Sequence, residues 1–167
     1  DEPDLEGALK QLADREPPLG QAEVIVVING SEKDDSDVSV QNLITLCETT
    51  DWLDERRKHW LPIHLLYHSK LPMKHAGVGQ ARKIGMDEAL RRLADVGQVK
   101  DGLIVCYDAD CRCSANYFTG IESHFTSHPT APGCSIHFEH PLDANEWTAL
   151  GFGGDAPSQG EFEGIAA

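Results

Sequence analysis

The sequence is poor in positive charge. Its 14 Lys and Arg stand against 28 Asp and Glu, a formal net charge of −14. A surface that negative repels phosphate backbones and anionic lipids, which argues against nucleic acid and membrane surfaces as general partners. An anionic ligand therefore needs a local basic patch or a metal ion to hold it. Long hydrophobic runs are also missing: none approaches the ~18 residues that span a bilayer, so no transmembrane segment is expected. Cysteines number only five, at 47, 106, 111, 113 and 134. An odd count without framework spacing argues against a disulfide scaffold and for reduced thiols in a cytoplasmic protein. Cys111 and Cys113 stand two residues apart, too close for the usual zinc knuckle, and no second pair follows. They read as packing thiols. The opening residues show neither an initiator methionine nor the layout of a secretory leader. The expectation is the interior of a longer protein, with pieces absent.

What is present suits a globular fold. The 167 residues, 40% of them hydrophobic, are enough for one domain with a sizeable core. In "LEGALKQLADREPP" (5–18), Leu5, Ala8, Leu9 and Leu12 share a helical face that Pro17-Pro18 terminates. "AEVIVVINGS" (22–31) is short, continuously apolar and β-branched, as a strand covered on both faces must be. The solvated loop "EKDDSD" leads to a helix over roughly 38–59, with Val40, Leu43, Ile44, Leu46, Cys47, Trp52 and Leu53 as its apolar set. A second strand is expected at 61–69. A helix entered through glycines follows at 76–97, with Ala81, Ile84, Ala89, Leu90 and Leu93 facing inward. "GLIVCYDAD" reads as a third strand, "SANYFTGIESHF" as a helix and "GCSIHFEH" (133–140) as a last strand. This alternation predicts an α/β domain with a mainly parallel sheet, whose ligands collect at the carboxyl ends of the strands. Asn29, Ser69, Asp108 and Asp110 all fall at such ends. The tail "GFGGDAPSQGEFEGIAA" reads as a loop or flap.

The acids that close the third apolar run carry the chemistry. Asp108 and Asp110 lie two residues apart, and a bend after the strand brings both carboxylates near one point. Two carboxylates that close raise each other's proton affinity, and a hard divalent cation resolves the conflict. Mg²⁺ and Mn²⁺ commonly use one or two carboxylates with phosphate oxygens. An Asp-x-Asp after a buried strand thus points to a metal carrying a diphosphate. The bland alternative is a helix cap on an acidic surface.

Taken together, "EVIVVINGSEKDDS", "LYHSKLPMKHAGVGQARKIGMDEAL" and "DGLIVCYDADCRCSANYF" resemble, in order and spacing, the family 2 glycosyltransferases with the GT-A fold. The likeness covers about residues 22–126. It implies a GT-A, Rossmann-like α/β architecture: a nucleotide-sugar-binding core over 1–126, lacking the family's first strand, and an incomplete acceptor-side segment over 127–167. It implies a glycosyltransferase of the hexosyltransferase type, a nucleoside-diphosphate sugar donor, a hydroxyl acceptor and Mn²⁺ or Mg²⁺. By the same match Asp110 touches the metal, and Asp108 lies at the metal and near the ribose or a metal-bound water. Gly77, Gly79 and Arg82 line the donor pocket, with Lys74 and Lys83 adding local positive charge. Where the family carries acids after its second strand, this chain has Ile28-Asn29, and Asn29 is left to bond base or ribose. No Glu-Asp pair follows Asp110, so Asp155, Glu161 and Glu163 are the candidates for a catalytic base.

Other residues admit plainer roles. His137 is a candidate third metal ligand or acceptor contact; the plainer role is a hydrogen-bonded histidine at a strand end. His64, His68 and His75 fit no ligand spacing and read as surface or half-buried. Trp52, Trp60 and Trp147 read as core or helix anchors. Two rival functions use the same residues: a nucleotidyltransferase of similar architecture, and a non-catalytic nucleotide-sugar-binding domain.

Overall fold

The computed structural model describes residues 4–56 and 59–137. Helix α1, Leu5–Ala13, starts where the Asp4 side chain accepts the Gly7 amide at 3.1 Å. That bond satisfies one of the amides a helix start leaves unpaired. Leu5, Ala8, Leu9 and Leu12 are buried, as their spacing dictates. At the other end the Trp60 indole donates to the Ala13 carbonyl at 3.0 Å.

Strand β1, Val24–Ser31, pairs in parallel with β2, Ile63–Leu71. Parallel neighbours require a crossover, and helix α2, Ser36–Glu55, supplies it. After a short 3₁₀ turn at Met73–His75 comes helix α3, Val78–Asp95. It is closed by Gly97, whose φ of 73° is the left-handed conformation glycine adopts without penalty. The alternation of strand side chains distributes the helices. Ile28, with Val24 and Val26, joins Leu5, Leu9 and Trp52 on the α1–α2 side. Val27 meets α3, where a Cβ at Gly85 would touch its methyl at 3.4 Å. The sheet is thus covered on both faces, which accounts for the unbroken apolar run of β1.

The described residues form a mixed α/β structure with four helices and one two-stranded parallel sheet. The third expected strand does not form: residues 102–108 carry no strand and join no sheet. Residues 102–108 run antiparallel to α3: Gly102 lies against Leu93, and Asp108 against Arg82. Yet residues 103–107 make no backbone hydrogen bond among the described residues, and Leu103, Ile104 and Val105 are exposed. The apolar, β-branched sequence specifies extended backbone, but ladder pairing is a tertiary matter that propensity does not decide. Residues 133–137 likewise form no strand, and 138–140 lie outside the described residues. Of the apolar set on α2, Trp52 is buried and Leu46 and Leu53 pack beside it, while Val40, Leu43, Ile44 and Cys47 are exposed. Only one face of α2 meets the sheet.

The chain divides into two compact units, Asp1–Thr119 and Gly120–Ala167. The sheet and α1 to α3 belong to the first. The second holds most of helix α4, Tyr117–Ser127, with Ile121 buried.

Candidate functional site

The carboxyl end of β1 is where the ladder becomes irregular. Pairing runs in register from Val24 opposite Ile63 to Asn29 opposite His68, then shifts so that Ser31 faces Leu71. Such irregularities re-aim the chain at sites. Asn29 sends its side-chain amide to the Ala76 carbonyl at 2.6 Å, which ties the strand end to the loop entering α3. Asn42 of α2 donates to the Asn29 carbonyl at 3.5 Å, and Asp34 accepts the Ser31 amide at 2.6 Å. Between them Gly30 is buried, and a Cβ there would meet Asp34 Oδ2 at 3.0 Å and Asn42 Nδ2 at 3.2 Å. A side chain there would press both groups aside by a few tenths of an ångström.

Gly77 and Gly79 behave oppositely. Neither has positive φ, and a Cβ at either would meet nothing within 4 Å. Packing does not need them bare, so the space above them is open. Gly77 is the N-cap of α3 and offers no side chain to its first amides. A long helix so started presents N–H groups and the positive end of its dipole to whatever occupies that space. One turn further, Arg82 Nη2 lies 2.6 Å from Asp108 Oδ1.

The Asp108-Ala109-Asp110 turn is built by alternation. Ala109 packs against the Leu5, Leu9, Ile28 and Trp52 cluster, which leaves both flanking carboxylates exposed. The Cys111 amide bonds the Asp108 carbonyl at 3.0 Å, closing a β-turn. The Tyr107 hydroxyl donates to the Cys111 carbonyl at 2.8 Å and braces it. Beyond the turn, Gln11 accepts the Cys113 amide at 3.3 Å, and Arg15 donates to the Cys113 carbonyl at 3.4 Å. The exit of the turn is therefore anchored to the end of α1.

Burial, followed by the charges of Asp110 and Asp108, pushes the Cys111 thiol upward. Burial also raises the Cys113 thiol and the Tyr107 phenol, and pushes the Tyr117 phenol up to about 12. These groups keep their protons at neutral pH and offer no ready nucleophile. The chemistry open to the site is that of two carboxylates, a guanidinium and helix amides. Two carboxylate ligands are a hard oxygen set, which suits Mg²⁺ or Mn²⁺ better than a thiophilic metal.

Of the residues the sequence singled out, Asn29, Gly77, Gly79, Arg82, Asp108 and Asp110 lie in the first unit, linked through the Asn29–Ala76 and Arg82–Asp108 contacts. Lys74 is exposed, and Lys83 pairs along the helix with Asp87. His137 belongs to the second unit. Asp155, Glu161, Glu163 and Trp147 lie outside the described residues. Among the described residues no three His, Cys, Asp or Glu side chains gather at ligand distance. Trp52 is core and Trp60 anchors a helix end, as expected. His64 is half-buried, between Glu23 at 3.2 Å and Arg92 at 2.8 Å. Sequence reasoning missed Asn42, Gln11, Arg15 and the hydroxyl of Tyr107. Of these only Tyr107, an aromatic directly before the acids, carried a local signal.

No protein-family profile, curated protein or solved structure matches the chain. Among the described residues no helix is long and apolar enough to cross a membrane.

Proposed function

We propose that the protein is a metal-dependent glycosyltransferase with a GT-A, Rossmann-like core, moving a sugar from a nucleoside-diphosphate sugar to an acceptor hydroxyl. One observation carries this reading. Asp108 of an Asp-x-Asp turn pairs with Arg82 of a helix whose uncapped, glycine-bearing start is tied through Ala76 to Asn29 at the carboxyl end of a parallel strand. Open α/β sheets bind ligands at such ends.

Each residue then has a task. Asn29 bonds the base or ribose. The amides of α3 and the Arg82 fork receive the diphosphate. Asp108 and Asp110 hold Mn²⁺ or Mg²⁺, which when bound offsets the charge gathering on the leaving diphosphate. The Arg82–Asp108 pair is half-exposed on both sides, 48% and 52%. Water screens such a pair, so it opens readily. A diphosphate at the helix start would compete with Asp108 for Arg82, and Asp108 would then be open to hold the cation. A carboxylate of the acceptor side, Asp155 or Glu161, takes the acceptor proton as the new bond forms. All five cysteines are free, and Cys47, Cys106 and Cys134 are exposed. Exposed free thiols fit a reducing compartment, so we place the protein in the cytoplasm.

A thermal-shift screen of UDP, GDP, CDP and TDP, each with and without Mn²⁺, tests the reading. A ligand that binds only the folded state raises Tm. One nucleotide is expected to raise it strongly, and only with metal. Flat responses across the panel would remove the donor site and the function with it.

A further inference from the structure

The second unit contains a cluster that the donor site does not use. His124 lies near the end of α4, and His128 sits one turn on, its amide still bonded to the His124 carbonyl at 2.9 Å. The spacing puts both imidazoles on one face, and their rings stack with centroids 4.7 Å apart. His128 Nδ1 lies 3.0 Å from the His124 carbonyl oxygen. A carbonyl only accepts, so Nδ1 carries the proton, and Nε2 of the neutral ring keeps its lone pair for another partner. Metal-binding histidines are commonly fixed in this way, one nitrogen donating to a carbonyl and the other facing the ion. The chain then turns, the Ala131 amide bonding the His128 carbonyl at 3.0 Å. Residues 133–137 return so that Cys134 and His137 line the same cavity as His124 and His128.

We propose that His124 and His128 form the core of a binding site for a borderline divalent transition metal of the zinc class, completed by the Cys134 thiolate and His137. Imidazole and thiolate select Zn²⁺, Co²⁺, Ni²⁺ or Cu²⁺ over the hard cations that carboxylates prefer. The site is thus chemically distinct from the Asp108–Asp110 pair and independent of the transferase reading. It assigns His137 here and leaves the hard cation to the two aspartates. The four side chains share the cavity without standing at ligand distance, since no such group of three exists among the described residues. The helical pair would supply the first two ligands, and Cys134 and His137 would complete the set by a shift of residues 133–137, which have no regular secondary structure. Coordination by Cys134 releases its thiol proton to solvent.

Cobalt titration of the metal-stripped full chain tests this. One equivalent of Co²⁺ is expected to give visible bands of tetrahedral intensity together with a thiolate charge-transfer band in the near ultraviolet. Cys134→Ser should lose the charge-transfer band and retain weaker binding. His128→Gln should weaken binding by at least about tenfold, as loss of a ligand does when loss of a supporting partner alone costs 10–100-fold. His128 is exposed, so this change spares the core; unchanged far-ultraviolet circular dichroism verifies the fold. Asp108→Asn with Asp110→Asn should leave the cobalt spectrum as it was. Wild-type binding in a His124→Gln, His128→Gln double variant overturns the proposal. So does a spectrum without tetrahedral bands, or one that vanishes in the double Asp variant.

Discussion

Helix α1 is 9 residues long and α3 is 18, yet α1 buries five side chains and α3 buries none. The short helix is held by oil. Leu5 and Leu9 join Ile28 and Trp52 in one cluster, and Leu12 is buried on the same face. The long helix meets the sheet through half-buried contacts such as Gly85 against Val27, and adds charge pairs within itself and to Glu23. Arg92 reaches Glu23 through two bonds of 2.6 and 2.7 Å and donates to His64 Nε2 at 2.8 Å; Arg91 joins Glu88 at 2.7 Å and Asp95 at 2.6 Å. Buried apolar contacts let go only on unfolding, whereas exposed ion pairs exchange with water and salt. The helix proposed to meet the ligand is therefore the weakly anchored one, and elements that bind or move are drawn from the low-stability end.

The contrast is easiest to break on the α1 side. Leu9 is 2% exposed, and Leu9→Ala should cost about 2–5 kcal/mol in urea unfolding, the usual range for a core leucine. A loss below about 1 kcal/mol would mean that the cluster is not the core. Asp4→Ala removes the side-chain cap seen on α1 and should cost about 1 kcal/mol, visible as a lower urea midpoint at unchanged slope.

On the α3 side the effects shrink and depend on solution conditions. Arg92→Leu should cost about 0.5 kcal/mol, since exposed pairs contribute little, and the difference should fade in 1 M salt. It should also alter the acid limb. The Arg92 bond lowers the Glu23 carboxyl below its ordinary value, against a smaller opposing effect of burial. A depressed carboxyl stabilises the fold above the unfolded carboxylate range, and that contribution is lost as pH falls through the folded value. Arg92→Leu should therefore flatten stability against pH in that window. An unchanged acid limb would assign the shift to another group. Leu90→Ala, at a site 49% exposed, should change stability by less than about 0.5 kcal/mol. A large loss there would show that α3 is covered after all.

The sequence made the α1 face, the two strands and the glycine-entered α3 legible because each is a local pattern. Periodicity placed Leu5, Leu9 and Leu12 together, and a β-branched run marked β1. The pairing of residues 103–107 was not legible, because whether an extended segment joins a ladder depends on its neighbours. The aspartate turn was visible as a motif, while its supports were not. Gln11 and Arg15 reach it from α1, and Asn42 reaches Asn29 from α2. No spacing rule connects residues that meet only after folding. The Arg82–Asp108 pair lies between these cases. Both residues were named from the motif, but their contact is a product of the path of residues 102–108 along α3.

The central claim, that the two aspartates bind a nucleoside diphosphate through a divalent cation, is tested most directly by isothermal calorimetry. The full chain and its Asp110→Ala variant are titrated with the diphosphate that gives the largest thermal shift, with Mn²⁺ and with EDTA. The account predicts binding by the wild type in Mn²⁺ alone and none by the variant, with the same circular dichroism spectrum for both. Equal binding by both proteins, or binding that survives EDTA, contradicts it.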